Sequence, residues 1–230
     1  MGRFGVLRRV RKLRAFTVAA LVLAAPLAAA SDADWKLEKD KDGIQIYSRA
    51  VPGWQIHEVR GVTRIAARLS SVAAVVTDVA AIPELTDVVA HSEVEHRDSD
   101  TRYRVYSMMK MPWPVSNRDI LNERMIAQDP ATLAVTVTDT ATQDLMPLKP
   151  DLVRIVKSRQ QWTLTPTADG GVLVETRLLS DPAGPMPTSL INAMSVSTPF
   201  KTLSKLKELV QRPAYRQATL PFVKEAAPGP

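Results

Sequence analysis

The chain has 230 residues, no cysteine, and 30 lysines and arginines against 24 acids, a formal charge of +6. The missing cysteines exclude disulfides, thiolate catalysis, thiolate metal sites and a lipid anchor on an N-terminal cysteine. The whole positive excess lies in Arg3, Arg8, Arg9, Arg11, Lys12 and Arg14, so the rest carries 24 of each sign and lacks the basic footprint of a nucleic-acid binder or a polybasic membrane patch.

The six charges are followed by an apolar, alanine-rich run over residues 15–30, broken by Pro26 and closed by Ala28, Ala29 and Ala30 before Ser31. A basic start, a short apolar stretch and a small-residue cleavage site predict a secretory signal peptide over residues 1–30. The run is shorter than the ~20 apolar residues of a membrane-spanning helix. The surroundings of Arg8 and Arg9 do not suit a twin-arginine signal, so Sec export is expected. The mature protein then begins near Ala30/Ser31 and is periplasmic or extracellular. One domain is expected over residues 31–212, since ~200 residues suffice for a core without disulfides. Residues 213–230, ending in Ala-Ala-Pro-Gly-Pro, are expected to be a flexible tail.

Residues 32–39 form a short amphipathic opening with Trp35 and Leu37 as apolar points. A turn at Asp40-Lys-Asp-Gly43 precedes Ile44 and Ile46, which alternate with polar residues and predict a strand. Pro52-Gly53 turns the chain into a second strand over 54–65, giving a hairpin. Val72, Val75, Val76 and Val79 then fall at helical spacing over 69–81, with Ser70 or Ser71 as cap and Pro83 as the stop. Strands are predicted over 88–96, 102–111, 117–127, 133–138, 153–165 and 172–180. Three of their connections are short polar turns, at 97–100, 128–131 and 168–171, which argues an antiparallel meander. A loop over 144–151 carries Leu145, Met146 and Leu148. The last element is a helix over 188–211, with Val196, Phe200, Leu203, Leu206 and Val210 in one apolar stripe and Pro199 inside it as a bend. Hairpin, helix, meander and long terminal helix make an α+β layout.

Three stretches stand out in order and distance. The first is Met111-Pro-Trp-Pro-Val-Ser-Asn-Arg-Asp-Ile-Leu-Asn-Glu-Arg124, where two prolines bracket a tryptophan and an Arg-Asp pair opens a strand. The second is Trp162-Thr-Leu-Thr-Pro166, and the third is Asp181-Pro-Ala-Gly-Pro-Met-Pro187 before the apolar helix. Together with Asp42-Gly-Ile they resemble START domains, the lipid-transfer modules, over residues 35–212. The resemblance implies the helix-grip fold, a curved antiparallel sheet wrapped around the C-terminal helix. It also implies a non-catalytic role, binding and transfer of a lipid or other hydrophobic molecule with transient membrane contact and no cofactor. In that family the cavity opens through the C-terminal helix and neighbouring loops, here 128–131 and 180–187, with 144–151 a further candidate.

If Ile120 and Ile126 face the concave side of the sheet, alternation places Asn122 and Arg124 there too, with Arg118 near the mouth. A buried arginine needs a partner. The resemblance implies an acid on the preceding strand in sterol-binding members, and Arg124 matches the arginine. The stretch 103–109 offers no acid, which departs from the sterol-binding pattern; Tyr103, Tyr106 or water would serve instead. The alternative is an Arg124 at the sheet rim, solvated or paired with Glu123 or Glu93. Arg118 and Asp119 are neighbours on a strand and point to opposite faces, so each is expected to tie a loop or an adjacent strand. Met108, Met109, Met111, Met125, Met146, Met186 and Met194 form a methionine-rich set suited to an irregular apolar cavity or to ordinary core filling. Trp162 is expected in the core, and Trp113 at the sheet end or against a partner. The expected ligand-binding residues are Arg124, Asn122, Tyr106, Met108, Ile120, Met194, Phe200 and Leu203.

No nucleophile elbow, phosphate loop or dinucleotide fingerprint is present. His91 and His96 are five apart on a strand and cannot chelate together, and no further ligands stand near His57, so no metal is expected. The alternative function is an enzyme on the same scaffold, a polyketide cyclase or lipid hydrolase, for which Arg124, Tyr103, Tyr106 and His57 are the available groups. A third class is an adaptor whose cavity is filled by its own side chains.

Overall fold

The computed structural model describes residues 1–2, 34–143 and 145–225. The expected signal peptide lies outside the described residues apart from Met1 and Gly2, and so does the tail end, 226–230. The folded unit opens with β1 (Lys36–Lys41), β2 (Ile44–Ala50) and β3 (His57–Ile65). Helix α1 (Leu69–Thr77), a 3-10 turn (Val79–Ala81) and α2 (Ile82–Leu85) follow. Then come β4 (Val89–Arg97), β5 (Arg102–Met109), β6 (Arg118–Gln128), β7 (Val135–Ala141), β8 (Val153–Ile155), β9 (Ser158–Pro166) and β10 (Val172–Ser180). Helices α3 (Thr188–Leu209) and α4 (Pro213–Arg216) close the chain.

All ten strands form one open sheet in the order β1-β2-β3-β10-β9-β7-β6-β5-β4, antiparallel throughout, with β8 added parallel to β6. The meander is present, and α3 packs on β2 and β3 to give the helix-grip arrangement. The opening stretch is an edge strand. Asp42 and Gly43 both adopt positive φ, 55° and 69°, the two-residue turn that folds β1 onto β2. The single strand expected over 153–165 is broken at Val156-Lys157, because the chain first runs beside β6 and then turns into the meander. Pro83 does not stop a helix but lies in the first turn of α2, where an amide donor is not needed.

Helix α1 is buried from Leu69 to Val76, so its valines hold by packing where propensity is poor. Neither Ser70 nor Ser71 caps it. The Glu225 carboxylate does so from the tail, accepting the amides of Leu69 at 3.2 Å and Ser70 at 2.9 Å. The tail is therefore tied down as far as residue 225, and Gln128 also bonds the backbone of Lys224 in both directions, at 2.8 Å each. The core lies between the concave sheet, α1 and the C-terminal half of α3, whose Leu203, Leu206 and Leu209 are fully buried together with Val210 just beyond its end. Gly61 on β3 lets the helix come this close: a Cβ there would stand 2.8 Å from Leu203 Cδ1, 3.2 Å from Thr176 Cγ2 and 3.3 Å from Ile46 Cδ1.

Candidate ligand cavity

Beyond that core, the sheet and the N-terminal half of α3 diverge and leave a cavity of about 300 Å³, at the small end of the ~300–1,000 Å³ of ligand pockets. Its walls are largely apolar, with Val59, Val105, Ile120, Ile155 and Trp162 from the sheet and Ile82 and Leu85 from α2. Four methionines, Met109, Met111, Met186 and Met194, supply adaptable surface.

Cross-strand register explains which polar side chains meet there. Tyr103, Arg124, Asp139, Gln160, Leu178 and Val59 are successive partners across β5, β6, β7, β9, β10 and β3, so they share one face. Arg124 and Asp139 stand directly opposite each other and pair bidentately, Nε donating to Oδ1 at 2.7 Å and Nη2 to Oδ2 at 2.8 Å. Their side chains are only 6% and 5% exposed. Arg124 Nη1 also donates to the Val76 carbonyl at 3.3 Å. Burial alone would lower the Arg124 pKa, and the Asp139 carboxylate more than reverses this, so it is raised.

Arg118 reaches the same cavity nearer the loop 182–185 and is 1% exposed. It has no carboxylate partner among the described residues. Instead it donates to the carbonyls of Pro182 at 3.3 Å, Ala183 at 3.2 Å, Pro185 at 3.4 Å and Ser116. Desolvation lowers its pKa. Its neighbour Asp119 points to the convex face and takes a bidentate pair from Arg154, at 2.7 and 2.9 Å, beside the Tyr106 phenol at 3.3 Å. Both residues thus tie flanking segments in place, the role expected of them.

Of the expected ligand residues, Arg124, Asn122, Ile120 and Met194 line the cavity. Tyr106 and Met108 do not. Register sets odd-numbered residues of β5 opposite even-numbered ones of β6, so Val105, Ser107 and Met109 face the cavity and Tyr106 faces the other way. Tyr106 is buried there all the same, because the loop bearing Met146, Pro147 and Lys149 lies over the convex face, with Lys149 Nζ 4.2 Å above the ring. Phe200 and Leu203 are also off the cavity. The apolar stripe of α3 goes to the close-packed core, and Phe200 sits under Lys39 Nζ at 3.6 Å. The cavity is lined by the adjacent face, Ile191, Met194, Ser195, Thr198, Pro199 and Thr202, one residue or ~100° around the helix. Trp162 is in the core as expected, while Trp113 is 93% exposed.

The preceding strand holds no acid for Arg124, as expected, but the partner is neither Tyr106 nor water in place of one: the acid is Asp139 on the following strand, with the Tyr103 side chain beside the guanidinium. Alternation of Val135, Val137 and Asp139 in the sequence places that acid on the apolar face. A strand ending at Thr138 leaves it in a loop, and the structure carries β7 on to Ala141. Sequence reasoning also missed Asp139, Gln160, Thr176 and Thr202 as lining residues.

The sheet, the helix and the cavity between them define a protein with a START domain fold. The chain belongs to the START domain family, whose model matches residues 18–216. It is 28% identical over 179 residues to an uncharacterized protein of Pseudomonas aeruginosa, covering 78% of this chain and 88% of that one. Among solved structures it is similar to a STAR-related lipid transfer protein fragment from Xanthomonas axonopodis, with 36% identity, a TM-score of 0.71, and 78% of this chain and 99% of that one covered. Human STARD10 shares the fold at 18% identity and a TM-score of 0.72, with 82% and 78% of the two chains covered.

Proposed function

We propose that this protein binds one lipid or similar hydrophobic molecule in the cavity and carries it through water without breaking a bond. The observation that carries this reading is the cavity's composition: a space with largely apolar walls, whose only lining carboxylate among the described residues, Asp139, is held on both oxygens by Arg124. A matched pair leaves no free acid or base at that position, and the His57 that also lines the cavity is exposed; binding then comes from burial against the apolar walls, at roughly 25 cal/mol per Å² removed from water. Asn122, Ile120 and Met194 are the contacts this reading retains from the sequence. The similarity to a STAR-related lipid transfer protein supports it.

Native mass spectrometry of protein purified from its own cells tests the binding. The expected result is a mass increment that organic extraction removes and that returns when the protein is mixed with lipid vesicles. A chain that is compact and empty under both conditions would contradict it. We further propose that the transfer takes place outside the cytoplasm, supported by the basic start, short apolar run and alanine cleavage site of residues 1–31. Amino-terminal sequencing of exported protein should begin within a few residues of Ser31, and an intact Met1 in the membrane fraction would overturn it.

A further inference from the structure

One polar atom in the cavity wall is left over. Thr176 on β10 lines the cavity and is 5% exposed, and its hydroxyl oxygen is buried with no hydrogen-bond partner among the described residues. Buried hydroxyls are almost always satisfied, and one left unmade opposes folding. Packing does not call for it. Thr176 stands in the cross-strand row Ile126, Val137, Trp162, Thr176, Gly61 and Ile46, where every other residue is apolar apart from the indole nitrogen. A valine would fill the same volume without an orphaned oxygen.

We propose that Thr176 recognises the ligand, its hydroxyl hydrogen-bonding an uncharged polar group, an alcohol or a carbonyl, on the hydrophobic molecule held in the cavity. This rests on the hydrophobic-ligand reading above and names the class of ligand. Threonine both donates and accepts, so either group satisfies it. Charge is what the surroundings reject. The neighbouring row offers neutral Gln160 and the Arg124–Asp139 pair, whose charges are matched to each other. Thr202, which lines the cavity from α3, is also neutral. The other buried arginine of the wall, Arg118, is already engaged by the carbonyls of Ser116, Pro182, Ala183 and Pro185. A carboxylate or ammonium against Thr176 would be buried without a counter-ion.

The test uses the full chain, stripped of lipid, and three fluorescent probes sharing one pyrene-labelled dodecyl chain that ends in a hydroxyl, a carboxylate or a methyl group. Wild type is expected to bind the alcohol about tenfold more tightly than the hydrocarbon, the worth of one net hydrogen bond, with the carboxylate weakest. Thr176→Val should bring the alcohol down to the level of the hydrocarbon, leave the hydrocarbon unchanged, and melt at or above the wild-type temperature. Thr176→Ser should keep the alcohol preference. An undiminished preference in Thr176→Val, or a carboxylate bound most tightly by wild type, overturns the proposal and leaves hydrophobic binding standing. A valine variant that melts well below wild type makes Thr176 structural and overturns it too. Failure of all three probes to bind removes the hydrophobic-ligand reading and this proposal together.

Discussion

The Arg124–Asp139 pair decides between two consequences of mutating the same arginine. An uncompensated Arg124 would be replaceable by methionine at little cost to stability, with the effect felt in ligand choice. The structure requires the opposite. Both side chains are at least 94% buried and joined by two charge-assisted bonds of 2.7 and 2.8 Å, so Arg124→Met strands a carboxylate inside the domain. Breaking a buried pair by removing one partner costs ~3–5 kcal/mol. For a domain of this size, at roughly 2–4 °C per kcal/mol, Tm should fall by roughly 6–20 °C. Asp139→Leu should be comparably harmful, because it strands the guanidinium. The double variant Arg124→Met/Asp139→Leu should recover most of the loss, since apolar replacement of a whole buried pair is often neutral or stabilising. A double-mutant cycle from urea unfolding of the four proteins measures this. Single variants each within ~1 kcal/mol of wild type, with additive effects, would refute the reasoning and make the pair behave like an exposed one.

Two further outcomes follow from named contacts. Gly61→Ala places a methyl 2.8 Å from Leu203 Cδ1, inside a row that also presses Thr176 and Ile46; overpacking of this kind costs ~1–3 kcal/mol, and a chemical melt equal to wild type would show that α3 can retreat freely. Tyr215 donates to Asp78 at 2.9 Å, and burial, with Asp78 added, pushes its phenol up to about 12. Because the folded pKa lies above the free value of ~10, the advantage of wild type over Tyr215→Phe, about 1 kcal/mol for one hydrogen bond, should be full below pH ~10. It should fade as pH rises towards 12. Paired urea melts across that range check it, and a gap that widens with pH would reverse the assignment.

Local pattern carried much of this protein. Strand alternation, polar turns and the valine spacing of α1 were legible because they depend on residues a few positions apart. The concave placement of Asn122, Ile120 and Arg124 on β6 followed from parity within one strand. What failed needed distance. The parity of β5 relative to β6 depends on their pairing register, and with both faces of β5 covered, the burial of Tyr106 could not reveal which face was the cavity. The face of α3 was misjudged because the strongest apolar stripe belongs in a dry core, where Gly61 admits Leu203, while a cavity tolerates Ser195, Thr198 and Thr202. The acid for Arg124, the Glu225 cap on α1 and the carbonyl cage of Arg118 are contacts between residues 15, 155 and about 65 positions apart. Such partners are chosen only when the sheet curls and the tail returns, since a buried charge or a bare helix end takes whatever group the fold brings within reach.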